Sequence, residues 1–351
     1  MTVAATMKAI QIQAFGGPEV MEYTTLPVPV PKPNEVLIKV AYCGVCRHDL
    51  LTRAGAFPRA QVPVVLGHQV SGTVAAVGSS VTEFVVGDPV MSMIFVGCGD
   101  CGNCAEGRDA LCTSVTPKFL GEDYDGGYAE YVVIAKRTAV KIPGRVGLPE
   151  AAILTCTLGT AYHGLLGRGE LKAGQTVVIT GASGGVGSHA VQIAKAVGAT
   201  VVGVVSSARS EARVRAAGAD HVIVSAERKF AKELRVLLGY QADLVLEVIG
   251  APTLLESLHA VRPGGRVVVV GNVEGKGVTV PPAYLILKEI SLIGTKSCTK
   301  EEMAEVLALI EAGKVSPEVS EIIPLAQARK LHERMEAQGA SGRAVLEVAG
   351  V

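Results

Sequence analysis

The sequence predicts an α/β protein of two domains, one mostly β and one a doubly wound parallel sheet. Three observations carry this. The chain has 351 residues, enough to bury two cores. Residues 7 to 140 read as short strands separated by Pro- and Gly-rich turns. Residues 170 to 295 alternate apolar strands with periodic helices, the pattern of a parallel sheet covered on both faces.

In chain order, Glu35–Val40, Val70–Val77 and Tyr128–Ile134 are strands of the first part. Val28-Pro-Val-Pro-Lys-Pro33 is an extended connection, because its prolines exclude helix. In the second part, Val177–Thr180 is a buried-type strand, followed by a glycine loop, a helix from about Ser188 to Val197 and a strand Ala199–Val205. A strand Asp243–Val248, a helix near Thr253–Val261 and a strand Gly265–Gly271 continue the pattern. The tail carries helices near Lys300–Ala312 and Leu325–Gln338, then a strand Arg343–Val348. No internal repeat or low-complexity stretch occurs.

Composition excludes several function classes. Lys and Arg number 33 and Asp and Glu number 33, which argues against a nucleic-acid groove or an acidic membrane surface as partner. The opening MTVAATMKAIQIQAF lacks the basic and long apolar regions of a secretory signal, and apolar runs such as Val201–Val205 and Val267–Val270 are strand-length. Eight cysteines without an export signal fit a reducing cytoplasm.

The loop Thr180-Gly181-Ala182-Ser183-Gly184-Gly185-Val186-Gly187 lies between a strand and a helix, where bare N–H groups and the helix N-terminus hold a dinucleotide pyrophosphate. A tight strand-to-helix turn also wants glycine, and the flanking elements decide for the dinucleotide. Cofactor choice belongs at the end of the next strand. There the chain reads Ser206-Ser207-Ala208-Arg209-Ser210, with no carboxylate before Glu211. Two hydroxyls and a guanidinium suit a 2′-phosphate, which favours NADP(H) over NAD(H).

Cys98, Cys101, Cys104 and Cys112 follow a C-x2-C-x2-C-x7-C pattern. Four thiolates at such spacing converge on one closed tetrahedral zinc, which is structural and does no chemistry. Gly99, Gly102 and Gly107 are expected to make the tight turns that aim the sulfurs inward. Cys43, Cys46, Cys156 and Cys298 remain, and spacing alone does not join Cys46, His68 and Cys156 into a site.

Five motifs occur in one order: Gly44-Val-Cys46-Arg47-His48-Asp49, Gly67-His68 with Ser71-Gly72 after it, the four-Cys lobe, the glycine loop and Gly342-Arg343-Ala-Val-Leu346. Over essentially the whole chain this order resembles the zinc-containing medium-chain dehydrogenase/reductases, the alcohol dehydrogenase superfamily. The resemblance implies a GroES-like catalytic domain from residues 1–155 and 297–351, with the structural lobe at 95–113, and a Rossmann domain at 156–296. It implies a catalytic zinc on Cys46, His68 and Cys156, with Asp49 bracing His68, so two zinc ions per chain. It further implies cofactor contacts from Arg47, Thr160, Asn272 and Arg343, and a homodimer or homotetramer, for which the apolar segment Ala283–Gly294 at the edge of the cofactor sheet is the natural contact.

Three positions depart from the family pattern. His48 replaces the usual Ser or Thr of the proton relay, Leu51 replaces a relay histidine, and Gln69 replaces a glutamate after the zinc histidine. His48 is expected to take over the relay, the alternative being that it packs or hydrogen-bonds the cofactor. The Cys43-x-x-Cys46 pair invites a redox reading, which the zinc claim on Cys46 outweighs. Cys298, His163, His189, His221, His259 and His332 are expected to be structural.

The implied activity is reversible hydride transfer between nicotinamide C4 and a zinc-polarised ketone or aldehyde. The pocket segments Ala56-Phe57-Pro58, Phe95, Phe119 and Asn272–Tyr284 carry little charge, so an apolar or aromatic substrate is expected. The alternative is an enoyl reductase of the acryloyl-coenzyme A or quinone type, which Phe15-Gly-Gly-Pro-Glu19 and Ala283–Glu289 resemble. A third reading, from another class, is a cofactor-binding protein of low turnover.

Overall fold

The structure is a computed structural model that describes residues 3–338 and 342–348; the outer ends of the expected catalytic domain lie outside them. Contacts divide the chain into two units. One comprises Met1–Cys156, Thr299–Glu301 and Pro317–Val351, the other Thr157–Cys298 and Glu302–Ser316.

The first unit is mostly β. A seven-stranded sheet runs in the order Ala139–Lys141, Pro89–Ser92, Gln69–Val77, Glu35–Val45, Ala344–Glu347, Glu321–Pro324, and Tyr131–Ala135 also pairs with Glu35–Val45. A three-stranded sheet joins Met21–Pro27, Thr6–Ile12 and Val64–Val65. The eleven-residue strand Glu35–Val45 is the longest, and its register positions the site. Val45 pairs with Ala344 and Gly44 with Gln69, so Arg343 and His68, one step beyond each pair, arrive beside Cys46. Ile10, Ile12, Ile38, Val65, Leu66, Tyr128 and Leu346 fill the core between these sheets.

The second unit holds a six-stranded parallel sheet in the order His221–Val224, Thr200–Val205, Thr176–Thr180, Ala242–Glu247, Val261–Val269, Ser291–Gly294. In sequence order this is 3-2-1-4-5-6, the doubly wound Rossmann arrangement. Thr176–Thr180 is buried at every position, as a central parallel strand rich in β-branched residues must be. Helix Gly185–Val197 begins three residues earlier than the periodicity suggests, and Gly198 ends it in the left-handed region at φ 90°.

Two expectations are corrected. The expected return to the first domain at residue 297 does not hold, because most of helix Lys300–Glu311 lies in the second unit. The buried face of that helix carries Met303, Val306 and Leu307, and Glu302 ties it to His163 at 2.8 Å; the main return begins at Pro317. The segment at Tyr128 also differs. The strand itself starts at Tyr131, Ala129 makes an isolated bridge to Ala9, and Tyr128 is fully buried with its ring against Gly67.

Candidate active site and metal centres

A single carboxylate organises the candidate metal site around Cys46, His68 and Cys156. Helix Arg47–Arg53 starts at Cys46, whose backbone N–H donates to Asp49 Oδ2 at 2.8 Å while its sulfur accepts the His48 N–H at 3.3 Å. This is a capping box built with a thiol. The other oxygen, Asp49 Oδ1, lies 2.9 Å from His68 Nδ1 and turns Nε2 toward Cys46 Sγ at 3.5 Å. Cys156 comes from the π-helical turn Thr155–Gly159 and places its sulfur 4.0 Å from that of Cys46.

These separations test whether a metal fits. Around a tetrahedral zinc with bonds near 2.3 Å to sulfur and 2.0 Å to nitrogen, sulfur pairs sit about 3.8 Å apart and sulfur–nitrogen pairs about 3.5 Å. The triad matches both, and its three ligand atoms lie within 4.8 Å of one another. Three such ligands would leave a fourth corner of a tetrahedral zinc open, as catalytic zinc sites do.

The electrostatics suit a dication. The hydrogen bond to Cys156 pulls the Cys46 thiol well below its ordinary range against the opposing effect of burial, while the same bond and burial push Cys156 up. Burial alone would lower His68, yet Asp49 and Cys46 outweigh it and raise the imidazole to about 10. The metal-free triad thus holds protons that an incoming cation displaces, so metal binding weakens as pH falls. Arg343 is buried against Cys46 and Cys156, whose thiols hold its guanidinium charged despite burial. Arg343 Nε and both polar atoms of Gln69 are buried without a protein partner.

His48 lies next to the triad, its ring 5.3 Å from that of His68. Phe57 and Phe119 sandwich it at 4.3 and 4.2 Å, with interplanar angles of 19° and 20°. Nε2 lies 2.8 Å from Glu122 Oε2. Glu122 is 3 % exposed and also within 3.8 Å of Arg59. Sequence reading missed Glu122, because nothing marks one acid in the loop Gly121-Glu-Asp-Tyr-Asp125 as buried.

The four-Cys lobe closes on itself. Cys98 and Cys104 sulfurs stand 3.9 Å apart, as do those of Cys101 and Cys112. Backbone N–H groups of Asp100 and Cys101 donate to Cys98 Sγ, and that of Cys98 to Cys112 Sγ. Backbone hydrogen bonds bring Cys101 down to about 5, and burial pushes Cys104 up to about 12. Gly99 and Gly107 have φ of 96° and 68° as expected, but Gly102 does not; it opens the short helix Gly102–Ala105. Gly97 is the other essential glycine, since a Cβ there would lie 2.5 Å from Cys104 Sγ. Asp109 pins the lobe by accepting from Gly97 N–H and pairing with Arg137, both at 2.9 Å.

In the second unit the glycine loop leaves the central strand at Gly181, φ 59°. A Cβ on Gly187 would meet the Gly181 carbonyl oxygen at 2.2 Å, so the turn closes only with glycine there. Gly184 caps helix Gly185–Val197 without a side-chain bond, which leaves first-turn N–H groups for an anion. Ser183, Gly184, Gly185 and Val186 are partly exposed along this turn. Thr180 is in register with Val204, so Ser206 and Ser207 end their strand at the same edge as the loop. Asn272 follows the strand Val261–Val269 at that edge and is exposed, as is Arg209; the turn carrying Thr160 packs on helix Gly185–Val197. Arg47 is exposed at the start of its helix in the first unit.

Glu247 was also missed. It is fully buried and accepts from Thr180 and Thr253 hydroxyls at 2.8 and 2.7 Å, from Ile249 and Gly250 N–H at 2.9 Å each, and from Ser257. A lone acid in the apolar strand Ala242–Glu247 was the available signal. Five donors fix the loop after it at the edge that carries the glycine turn.

The family model described as an alcohol dehydrogenase GroES-like domain matches residues 32–144, and one described as a zinc-binding dehydrogenase matches 185–312. The chain is 37 % identical to an acryloyl-coenzyme A reductase of Metallosphaera sedula, covering 97 % of this chain and 99 % of that protein. It is 34 % identical to an NAD-dependent alcohol dehydrogenase of Sulfurisphaera tokodaii at the same coverage. Among solved structures, that of AibC superposes with a TM-score of 0.93 at 40 % identity, covering 99 % of this chain and 97 % of that one. No helix among the described residues is long and apolar enough to cross a membrane.

Proposed function

Because the chain belongs to the zinc-type medium-chain dehydrogenase/reductases, an oxidoreductase family, we propose that it transfers hydride between NADP(H) and a carbonyl substrate held at Cys46, His68 and Cys156. The observation that carries this is the triad of buried Cys46 and His68 with partly exposed Cys156, two of its members braced from one carboxylate. A zinc ion there would act as a Lewis acid on a carbonyl or alkoxide oxygen. A second zinc on Cys98, Cys101, Cys104 and Cys112 would be structural.

The chain's own residues supply the rest. Asp49 fixes the His68 tautomer and ties the Cys46 backbone, so two ligands share one support. Arg343 adds a positive charge beside the two thiols and keeps an unpaired Nε donor, which suits the expected contact with a cofactor phosphate. His48, 5.3 Å ring to ring from His68, would hydrogen-bond the reacting group, and Phe57 and Phe119 make its surroundings apolar. Ketones and aldehydes with apolar or aromatic substituents are the first substrate class.

The second reading is conjugate reduction of an α,β-unsaturated thioester, favoured by the acryloyl-coenzyme A reductases at 37 and 38 % identity. Polarising the thioester oxygen would activate the β-carbon toward hydride, so the same triad serves either class. Assaying NADPH oxidation with benzaldehyde, acetophenone and acryloyl-coenzyme A separates them. Carbonyl turnover supports the first reading, enoyl turnover alone replaces it with the second, and no turnover leaves a cofactor-binding protein.

Cofactor preference has its own test. Ser206, Ser207 and Arg209 follow the second strand, and the first carboxylate, Glu211, is committed to Arg215 at 2.8 and 2.9 Å. Arg209→Ala is expected to weaken NADPH by about tenfold or more and to leave NADH unchanged, as loss of a charge-assisted contact to a 2′-phosphate requires. Equal losses for both cofactors would contradict this. The edge strand Ser291–Gly294 and the preceding helix, with Ile286 and Leu287 at 71 and 83 % exposure, suit a self-contact in a homodimer or homotetramer.

A further inference from the structure

His48 is held on three sides. Both ring faces are covered by phenyl rings, and Nε2 is 2.8 Å from a buried carboxylate oxygen. A carboxylate only accepts, so the Nε2 position carries the proton in this pair. Among the described residues Nδ1 makes no hydrogen bond, and the side chain remains 28 % exposed. The ring therefore has one direction left in which to act.

Glu122 has no evident reason to be buried other than this contact. Its residue is 3 % exposed, and its second oxygen reaches only the half-exposed Arg59 at 3.8 Å. Burying an acid is costly unless its oxygens are engaged, and the short bond to His48 is the main engagement recorded. The carboxylate–imidazole pair resembles in form the arrangement by which an acid orients a working histidine.

Resting on the hydride-transfer reading above, we propose that Glu122 is a positioning residue of the active site: it fixes the Nε2–H tautomer and ring plane of His48, so that Nδ1 offers its lone pair to the hydroxyl of the alcohol that is oxidised in one direction and released in the other. The phenyl rings of Phe57 and Phe119 hold the plane, and Glu122 sets which nitrogen faces outward. This pairing supplies a hydrogen-bond acceptor where the family pattern has a Ser or Thr hydroxyl.

The test uses the zinc-loaded protein with 15N-labelled histidine, the His48 signals being identified by their loss in His48→Gln. Two-bond 1H–15N spectra report the tautomer without any turnover. The expected result is an Nε2–H tautomer in the wild type, kept in Glu122→Gln, whose amide oxygen still accepts, and lost in Glu122→Leu. In the oxidation of benzyl alcohol or 1-phenylethanol with NADP+, Glu122→Leu is expected to lower kcat by about 10²-fold with KM nearly unchanged, and Glu122→Gln to recover most of it. Unchanged visible spectra of the cobalt-substituted variants check that the metal triad is intact. An Nδ1–H tautomer in the wild type overturns the proposal even if Glu122→Leu does not fold. So does a tautomer unchanged in that variant, or a loss confined to KM. Were no substrate turned over, the hydride-transfer reading would fail while the spectra still decided the role of Glu122.

Discussion

Cys46→Ser is expected to lower zinc content from two equivalents per chain to one and kcat/KM by at least about 10³-fold, with little change in melting temperature. The sign follows from the local geometry. Serine is a preferred helix cap, so its hydroxyl still accepts the His48 N–H and helix Arg47–Arg53 keeps its start. What is lost is a thiolate that the surroundings hold deprotonated for a cation. A neutral hydroxyl is a poor zinc ligand, and His68 and Cys156 alone do not complete a site. Lewis-acid stabilisation is worth several kcal/mol, and a thousandfold loss corresponds to about 4 kcal/mol. Metal analysis, thermal melting and NADPH oxidation on one preparation check the three statements together. A variant with two bound zinc ions and wild-type rate would refute the assignment of Cys46.

Cys104→Ser is expected to act on stability rather than directly on chemistry. Cys104 is the most buried of its four, at 3 % exposure, and Gly97 packs against its sulfur. The lobe has little apolar core of its own. Ile94, Phe95 and Phe119 form a small cluster with Ala110 and Cys156, and beyond it the lobe relies on Asp109 with Arg137 and on the metal its four thiols would hold. Structural zinc contributes about 10 kcal/mol or more in isolated small sites, so losing one ligand should lower the melting temperature by about 10 °C or more. Because Phe119 also stacks on His48 and Cys156 belongs to the open triad, activity should fall as the lobe loosens and recover on cooling. Calorimetry with zinc analysis reads this out. An unchanged melting temperature with one zinc lost would show that the lobe folds without its metal.

The two metal sets differ in how they are written into the chain. Cys98 to Cys112 is local, so spacing alone suggests that the four thiols converge, as their sulfurs do, while Gly102 departs from the expected turn because it opens a helix. Cys46, His68 and Cys156 span 110 residues and meet through the pairing of Glu35–Val45 with Gln69–Val77 and through a π-helical turn. No local pattern encodes that, which is why a family resemblance was needed to join them. The glycine loop and the parallel sheet were legible because the hydrophobic period and the turn chemistry agree there. Glu122 and Glu247 were not, since an acid in a loop or at a strand end looks solvated until tertiary packing buries it. The boundary near residue 300 was misplaced for a similar reason. Helix Lys300–Glu311 reads as amphipathic, but amphipathicity does not say which core it joins.

Titrating zinc into metal-free protein, while following bound metal and NADPH oxidation with the same three substrates, tests most directly whether the open triad carries the activity. Two equivalents per chain should bind, and turnover should appear only with the equivalent that Cys46→Ser cannot hold. Full turnover with a single equivalent, retained in Cys46→Ser and lost in Cys104→Ser, would contradict it.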